Sequence, residues 1–291
     1  MKITVCGAGG FIGGALYRKL YVDGADVTAT DHKQFDLTQK DDCKFAVAGS
    51  DLVYICAGVT GGSGLIASDP LSLVTPNLLI HINLFEACKK AGVKKVIALS
   101  STTGYPDTDL PMVEADYFIG DPHPAYFNPG HTRRFIERLG AMYPELNITF
   151  LRPSVVYGPG DDFDPATSHV IPALVRKVAE RQDPITIWGD GSNWRDAVYI
   201  DDVVRALVLA QSAPSGAYNI ATGEGMTVLE MLSTLEAHVN HYPGLKLDSS
   251  RPSMLKKRAL VIDKARSVLN WEPSVRMRDG LCKTLDWYAS Q

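Results

Sequence analysis

Nowhere in its 291 residues does this chain carry an apolar run near the roughly 18 residues that a membrane-crossing helix requires, so no membrane partner is expected. Blocks of like charge are missing as well. A net charge of −4, spread along the sequence, offers no basic field to hold nucleic acid. There is no low-complexity tract. Cysteine is scarce: Cys6, Cys43, Cys56, Cys88 and Cys282 are odd in number and form no C-x-x-C pair. That pattern argues for reduced, mostly buried thiols and against a disulfide framework or a metal site. No basic segment, apolar stretch and cleavage site stand ahead of the first strand, which predicts a cytoplasmic protein.

What is present is ordinary globular material, 45% hydrophobic and long enough for one large domain or two unequal ones. The informative stretch is the opening, Lys2 to Leu16. A β-branched run, Lys2 to Cys6, suits a buried parallel strand, and then breaks into glycines before turning helical. Gly7 permits a tight turn, Gly9 and Gly10 let backbone amides approach a pyrophosphate, and Gly13 lets the helix pack closely on the strand. Phe11 and Ile12 lie at the helix N-terminus, where a phosphate is held by free amides. The spacing Gly7-x-x-Gly10-x-x-Gly13 points to a dinucleotide cofactor.

Taken onward, the chain alternates. A helix over about 11–22 precedes a second strand ending at Asp31, whose carboxylate suits the ribose hydroxyls of NAD and repels a 2′-phosphate. His32 and Lys33 follow and would serve NADP instead. NAD is the expected cofactor, with NADP possible. Asp36 and Leu37 begin a loop near the adenine or a simple surface turn. A third strand, 51–56, runs into Ala57, Gly58 and the small residues to Gly64, and a helix follows between Pro70 and Gly92. The fourth strand, 95–100, delivers Ser100, Ser101, Thr102 and Thr103 at its carboxyl end, the edge where ligands collect in open parallel sheets.

A helix at 129–143 and a strand at 147–152 complete an α/β, Rossmann-type doubly wound parallel sheet. Helices near 170–181, 227–240, 263–269 and 276–288, with a short strand at 185–188, predict a smaller α/β C-terminal substrate lobe. The expected division is residues 1–155 plus about 190–212 for the dinucleotide domain, and about 156–189 with 213–291 for the lobe.

Several separated motifs coincide here: Gly7-x-x-Gly10-x-x-Gly13, Leu99-Ser-Ser101 with Tyr105, Arg152-Pro153 with Val156-Tyr-Gly-Pro159, Trp188-Gly-x-Gly191 with Arg195, Tyr199-Ile-Asp-Asp202, and Asn270-Trp-x-Pro273. With them the chain resembles the extended short-chain dehydrogenases that modify nucleotide sugars. Gly61-Gly62 and Ser168-His-Val-Ile-Pro-Ala-Leu174 look most like the GDP-fucose synthases, the epimerase-reductases of a GDP-4-keto sugar. The resemblance implies that Ser101 hydrogen-bonds the sugar 4-oxygen and that His169 is an acid in ring epimerisation. It implies that Arg195 grips the diphosphate with Arg258 as a second phosphate contact, and that Thr102 and Trp188 join the substrate site. It also implies a homodimer through helices near 76–91 and 129–143.

The same resemblance exposes two departures. Counting from Glu137 and Tyr143, the family's Tyr-x-x-x-Lys falls on Pro129 and Arg133. Arg133 can still hold charge beside the nicotinamide ribose; Pro129 cannot donate a proton, and reads as the first residue of a helix capped by Asn128. Tyr126 or His131 is the candidate replacement. A cysteine base of the GDP-fucose synthases corresponds to Thr103, a poor base. The expected activity is therefore an NAD(P)-dependent epimerase, reductase or dehydratase of an atypical kind, or a member that binds its nucleotides without redox turnover.

Overall fold

The computed structural model describes residues 1–61, 69, 71–250 and 255–291. Apolar runs meet side by side as β1 (Lys2–Cys6), β2 (Asp26–Thr30), β3 (Leu52–Ile55), β4 (Lys95–Leu99) and β5 (Ile148–Pro153), with β9 (Gly216–Ile220) on the outer edge. Their order is β2-β1-β3-β4-β5-β9, and every pairing is parallel. The chain reverses direction across the sheet between β1 and β3, which opens a crevice at the strands' carboxyl ends.

Period two sorts the strand side chains onto two faces. Ile3, Val5, Tyr54 and Ile97 pack with Leu16 and Leu20 of the helix Phe11–Val22 and with Val203, Val204 and Leu207 of the helix Ile200–Leu209. Cys6, Val53, Ile55, Val96 and Ala98 pack on the opposite face with Cys43, Leu84, Phe85 and Ile136. These come from the helices Lys40–Ala46, Leu71–Ala91 and Phe127–Gly140. Both faces are covered, which is why the central strands read as continuous apolar runs. By length and composition the helix Leu71–Ala91 could cross a membrane, contrary to the expectation that no segment is so apolar. In this fold it buries Leu73, Ile80, His81, Leu84 and Phe85.

The remaining strands build the smaller lobe. Residues Val155–Tyr157 (β6), Trp194–Tyr199 (β8) and Gly225–Thr227 (β10) form a three-stranded sheet, and Ile185–Trp188 (β7) pairs in parallel with Leu245–Asp248 (β11). Two parts of the expected division are corrected. The segment Gly216–Ile220, assigned to the lobe, is the sixth strand of the main sheet, and β8, assigned to the dinucleotide domain, pairs with β6 and β10. Asp202 clasps the two parts together: its carboxylate accepts from Ser274 N–H and O–H and from Val275 N–H, while its carbonyl accepts from the Trp271 indole. The Tyr199-Ile-Asp-Asp and Asn-Trp-x-Pro273 motifs are thus one structural joint.

Candidate active site

At the end of β1 the chain turns at Gly7, with φ at +88°. A Cβ there would stand 2.6 Å from the Ala57 nitrogen, and one on Gly13 would stand 2.1 Å from the Gly7 carbonyl oxygen, so neither position admits a side chain. Gly7 and Ala8 both donate to the Thr30 carbonyl at 3.0 Å, tying the loop to β2. Gly10 begins the helix Phe11–Val22 without a side-chain cap. The first-turn amides of Phe11, Ile12 and Gly13 have no intrahelical acceptor, and all three residues border the cleft. A loop that is closely packed behind and bare in front fits a pyrophosphate. Asp31 half-buries at the end of β2 with its Cβ against Gly9, and its Oδ1 accepts from Lys33 N–H at 2.8 Å. The fit to a dinucleotide is good at each of these positions.

On the same edge, β4 ends in a short turn, Thr102–Gly104, capped by Ser101. Ser101 Oγ accepts from Thr103 N–H at 3.2 Å and from the Thr103 hydroxyl at 3.1 Å. Both contacts use oxygen lone pairs, which leaves the Ser101 proton to be donated into the cleft. Behind it lies a buried polar network. The Tyr117 hydroxyl donates to the Ser101 carbonyl at 2.8 Å, Ser100 Oγ donates to Glu137 Oε1 at 2.5 Å, and Arg152 forks onto Glu137 at 2.9 and 2.6 Å. The Arg152 guanidinium also lies 3.6 Å from the centre of the Tyr117 ring. The network fixes the turn; it does not itself reach the cleft.

The helix Phe127–Gly140 starts two residues earlier than expected, with Tyr126 as its cap; Asn128 is already inside the first turn. Pro129 stands third in the helix, where a missing N–H removes no helical bond. Gly130 is needed beside it, because a Cβ would meet the Thr103 carbonyl oxygen at 2.6 Å. Arg133 then projects beneath Gly58, with its Nη2 3.4 Å from a Cβ placed there, and Nη1 donates to the Leu99 carbonyl at 3.4 Å. The helix start thus delivers one cation to the cofactor edge. Next to it, Arg134 pins the surrounding turns through the Gly104, Gly120 and Ile119 carbonyls.

The crevice is a cavity of about 530 Å³ that runs from Gly10–Gly13 past Gly58 and Ser101–Thr103 to the smaller lobe. Tyr126, His169, Arg195 and Arg258 line its far half. Arg195 Nη1 donates to the Leu255 carbonyl at 2.6 Å and Arg258 Nη1 to the Thr102 carbonyl at 2.7 Å. The Nε and Nη2 of Arg258 are buried with no partner among the described residues. Burial, together with the Arg195 charge and against the pull of Tyr126, brings the Arg258 guanidinium down to about 10. Two guanidiniums lining one half of the cleft, neither ion-paired with a carboxylate among the described residues, form a site for an anion. The Tyr126 ring lies 5.6 Å from the Arg258 guanidinium. His169 begins the helix Val170–Ala179, and its ring does not cap it.

Several expected site residues stand elsewhere. His131 lies 41% exposed, its Nε2 3.6 Å from Asp121 and its ring against Phe127, outside the cleft lining. Trp188 is 50% exposed on β7, and the tryptophan that lines the cleft is Trp194. The sequence offered no spacing that distinguishes the two. Asp36, exposed, spends its carboxylate on Thr38 N–H and O–H, and Leu37 is buried in the core, so the two side chains hold a surface turn. His32 is exposed at the end of β2, and Ala57 packs against Gly7. Gly61 and Thr60 border the cleft, whereas Gly62 and Gly64 lie outside the described residues.

Comparison with known proteins adds four findings. Residues 3–221 match the NAD dependent epimerase/dehydratase family. The chain is 29% identical over 305 residues to GDP-L-fucose synthase 1 of Arabidopsis thaliana, covering 99% of this chain and 93% of that one. It is also 29% identical over 315 residues to dTDP-4-dehydro-6-deoxy-D-allose reductase of a Streptomyces species, covering 98% and 95%. Among solved structures, MoeE5 in complex with UDP-glucose and NAD is 28% identical and superposes with a TM-score of 0.88 over 100% of this chain and 99% of that one.

Proposed function

This chain belongs to the NAD dependent epimerase/dehydratase family, and on that footing we propose that it transforms a nucleotide sugar, a GDP-hexose in the first instance, through its 4-keto form. Its relatives are nucleotide-sugar epimerases and reductases, and it is an enzyme of that type. The observation that carries the reading is one continuous cleft. Its near end is a bare glycine loop, its middle is a hydroxyl turn, and its far end holds Arg195 and Arg258, the latter with two donors unspent among the described residues. A dinucleotide at the first and a sugar diphosphate at the last would meet over Ser101.

The residues supply what such chemistry asks for. The Phe11–Gly13 amides and Arg133 would hold a nicotinamide coenzyme, which would supply a hydride acceptor or donor beside Ser101. Ser101 donates to the sugar oxygen, which acidifies the neighbouring C–H bonds as the ketone forms. Tyr126 supplies a hydroxyl in the cleft that Pro129 does not, and His169 supplies an imidazole able to exchange a proton with a ring carbon. Arginine suits the diphosphate because its fork presents two parallel donors. Leu79, Phe135 and Met142, exposed on and beside the two helices that pack together at 71–91 and 127–140, support a homodimer through that face; the mass of the protein in solution tests it.

A second reading rests on Pro129: a chain that holds both nucleotides without turnover. The test is incubation of the NAD-loaded protein with GDP-, UDP-, dTDP- and CDP-sugars in deuterium oxide, followed by product masses. Deuterium entering the sugar supports the enzyme, with a GDP-sugar expected first. No turnover by a protein that still gains thermal stability from NAD favours the second reading.

A further inference from the structure

Between β6 and the helix Val170–Ala179 runs a loop that borders the cleft through Asp161, Asp162 and Thr167 and delivers His169 to it. The loop is bonded mainly to itself. Asp162 Oδ1 accepts from Asp164 N–H at 2.9 Å and its Oδ2 from the Thr167 hydroxyl at 2.5 Å, while Asp164 Oδ1 accepts from Ala166 N–H at 2.7 Å. The Asp164 carbonyl accepts from Ser168 N–H at 2.9 Å. Residues 162–168 therefore form one unit, and the last of these bonds joins the residue after Phe163 to the residue before His169.

Phe163 ties that unit to the rest of the lobe. Asp162, Asp164, Pro165, Ala166 and Thr167 are exposed, whereas Phe163 is half-buried and packs against the hydrophobic core. Its ring centre lies 4.7 Å from that of Tyr288 and 5.8 Å from that of Trp287, at the end of the helix Met277–Ala289. Tilted rings at these separations attract one another as well as excluding water. The helix beneath them is itself fixed, with Leu281 and Leu285 fully buried. Tyr288 also donates its hydroxyl to Glu180 Oε1 at 3.3 Å, just past the far end of the helix that His169 begins. One aromatic pair thus steadies that helix before its start and after its finish.

We propose that Phe163 is a positioning residue of this cleft: seated on Trp287 and Tyr288, it sets where the loop holds the His169 imidazole. The inference rests on the nucleotide-sugar reading above. Phe163 does not itself border the cleft, and it acts through the bond between Asp164 and Ser168. The His169 ring does not cap its own helix, so the backbone on either side is what places it. A loop bonded to itself moves as a body once its anchor is gone, and a displacement of about 1 Å at a reacting group costs roughly 100-fold in rate.

The test uses the full chain loaded with NAD. Among the seven histidine rings, the nitrogen-15 resonance missing from His169→Gln is expected to shift in Phe163→Ala and to return toward its wild-type position in Phe163→Tyr. A resonance unmoved in Phe163→Ala overturns the proposal, whichever sugar the protein takes. With GDP-4-keto-6-deoxymannose in deuterium oxide, deuterium is expected to enter the sugar roughly 10- to 100-fold more slowly with Phe163→Ala than with wild type, with NAD affinity retained and most of the rate regained in Phe163→Tyr. In the His169→Gln protein the same change is expected to cost less than about twofold more. An unchanged rate in Phe163→Ala, or an equal loss with and without His169, overturns the proposal. If Phe163→Ala does not fold, Phe163→Leu takes its place, with the same directions expected. A wild-type protein that binds NAD yet exchanges nothing with any 4-keto nucleotide sugar counts against the sugar reading instead, and the histidine resonance alone then decides Phe163.

Discussion

Arg152 and Glu137 meet inside the protein in a two-pronged pair, Nε to Oε1 at 2.9 Å and Nη2 to Oε2 at 2.6 Å, with side chains only 2% and 5% exposed. Burial opposes the Arg152 charge, and the hydrogen bonds and charge of Glu137 more than offset it, so the guanidinium is held above its ordinary value. The pair joins β5 to the helix behind the hydroxyl turn. Glu137→Gln leaves a buried cation without its partner and is expected to cost about 3–5 kcal/mol in denaturant unfolding. The double variant Glu137→Gln, Arg152→Met is expected to cost less than the two singles summed; strict additivity would contradict the coupling.

Gly13→Ala places a methyl 2.1 Å from the Gly7 carbonyl oxygen. The loop has to move, and with it the amides that face the cleft. NAD affinity by calorimetry is expected to fall at least roughly 100-fold, alongside a stability loss of about 1–3 kcal/mol. An alanine variant with wild-type affinity would show that the loop does not hold the cofactor.

Arg258→Met removes a buried cation with two unspent donors. The folded protein is expected to be unchanged or more stable, since a charge leaves a poorly solvated place. Binding of GDP should weaken by about 2–4 kcal/mol, and NAD binding should not change. Equal losses for both nucleotides would place Arg258 on the cofactor.

His81 gives a stability prediction in acid. Its ring is fully buried, with Nδ1 on the Asn77 carbonyl at 2.8 Å. Burial first and the Arg133 charge second press it down to about 3 against that bond. Unfolded, it returns to about 6.5, so below that pH the unfolded chain binds a proton that the folded one refuses. The stability is complete above about 6.5 and is lost as pH falls toward 3. His81→Gln is expected to flatten the pH dependence of the urea midpoint over this window, and an unaltered slope would contradict the account.

Tyr126→Phe is expected to slow turnover by roughly 100-fold without affecting NAD affinity, and His131→Ala to leave the rate within about twofold. Steady-state rates separate them: a silent Tyr126→Phe would remove the phenol from the chemistry.

The glycine spacing, the four central strands and the long helix at 71–91 were legible because local pattern alone determines them: Gly7 and Gly13 meet only backbone, and β3 and β4 are apolar runs but for Lys95 at the start of β4. Gly216–Ile220 was hidden because its place is set by a distant register, Asn219 opposite Arg152. The helix Lys40–Ala46 and the three-residue strands are too short to show a period. Pattern likewise chose Trp188 over Trp194 and Asn128 over Tyr126 as cap, since exposure and cap geometry depend on the packing of the lobe and of Gly130 on Thr103. Phe163 reads in sequence as a lone apolar residue in a polar loop. Only the folded chain seats it on Trp287 and Tyr288.

A crystal structure with NAD and GDP bound together tests the central claim, that one cleft seats a coenzyme on the glycine loop and a nucleotide diphosphate on the arginine pair. The account predicts the NAD pyrophosphate on the amides of Phe11 to Gly13, its nicotinamide ribose against Arg133, and the GDP phosphates between Arg195 and Arg258. Phosphates found away from either place, or a nicotinamide remote from Ser101, would contradict it.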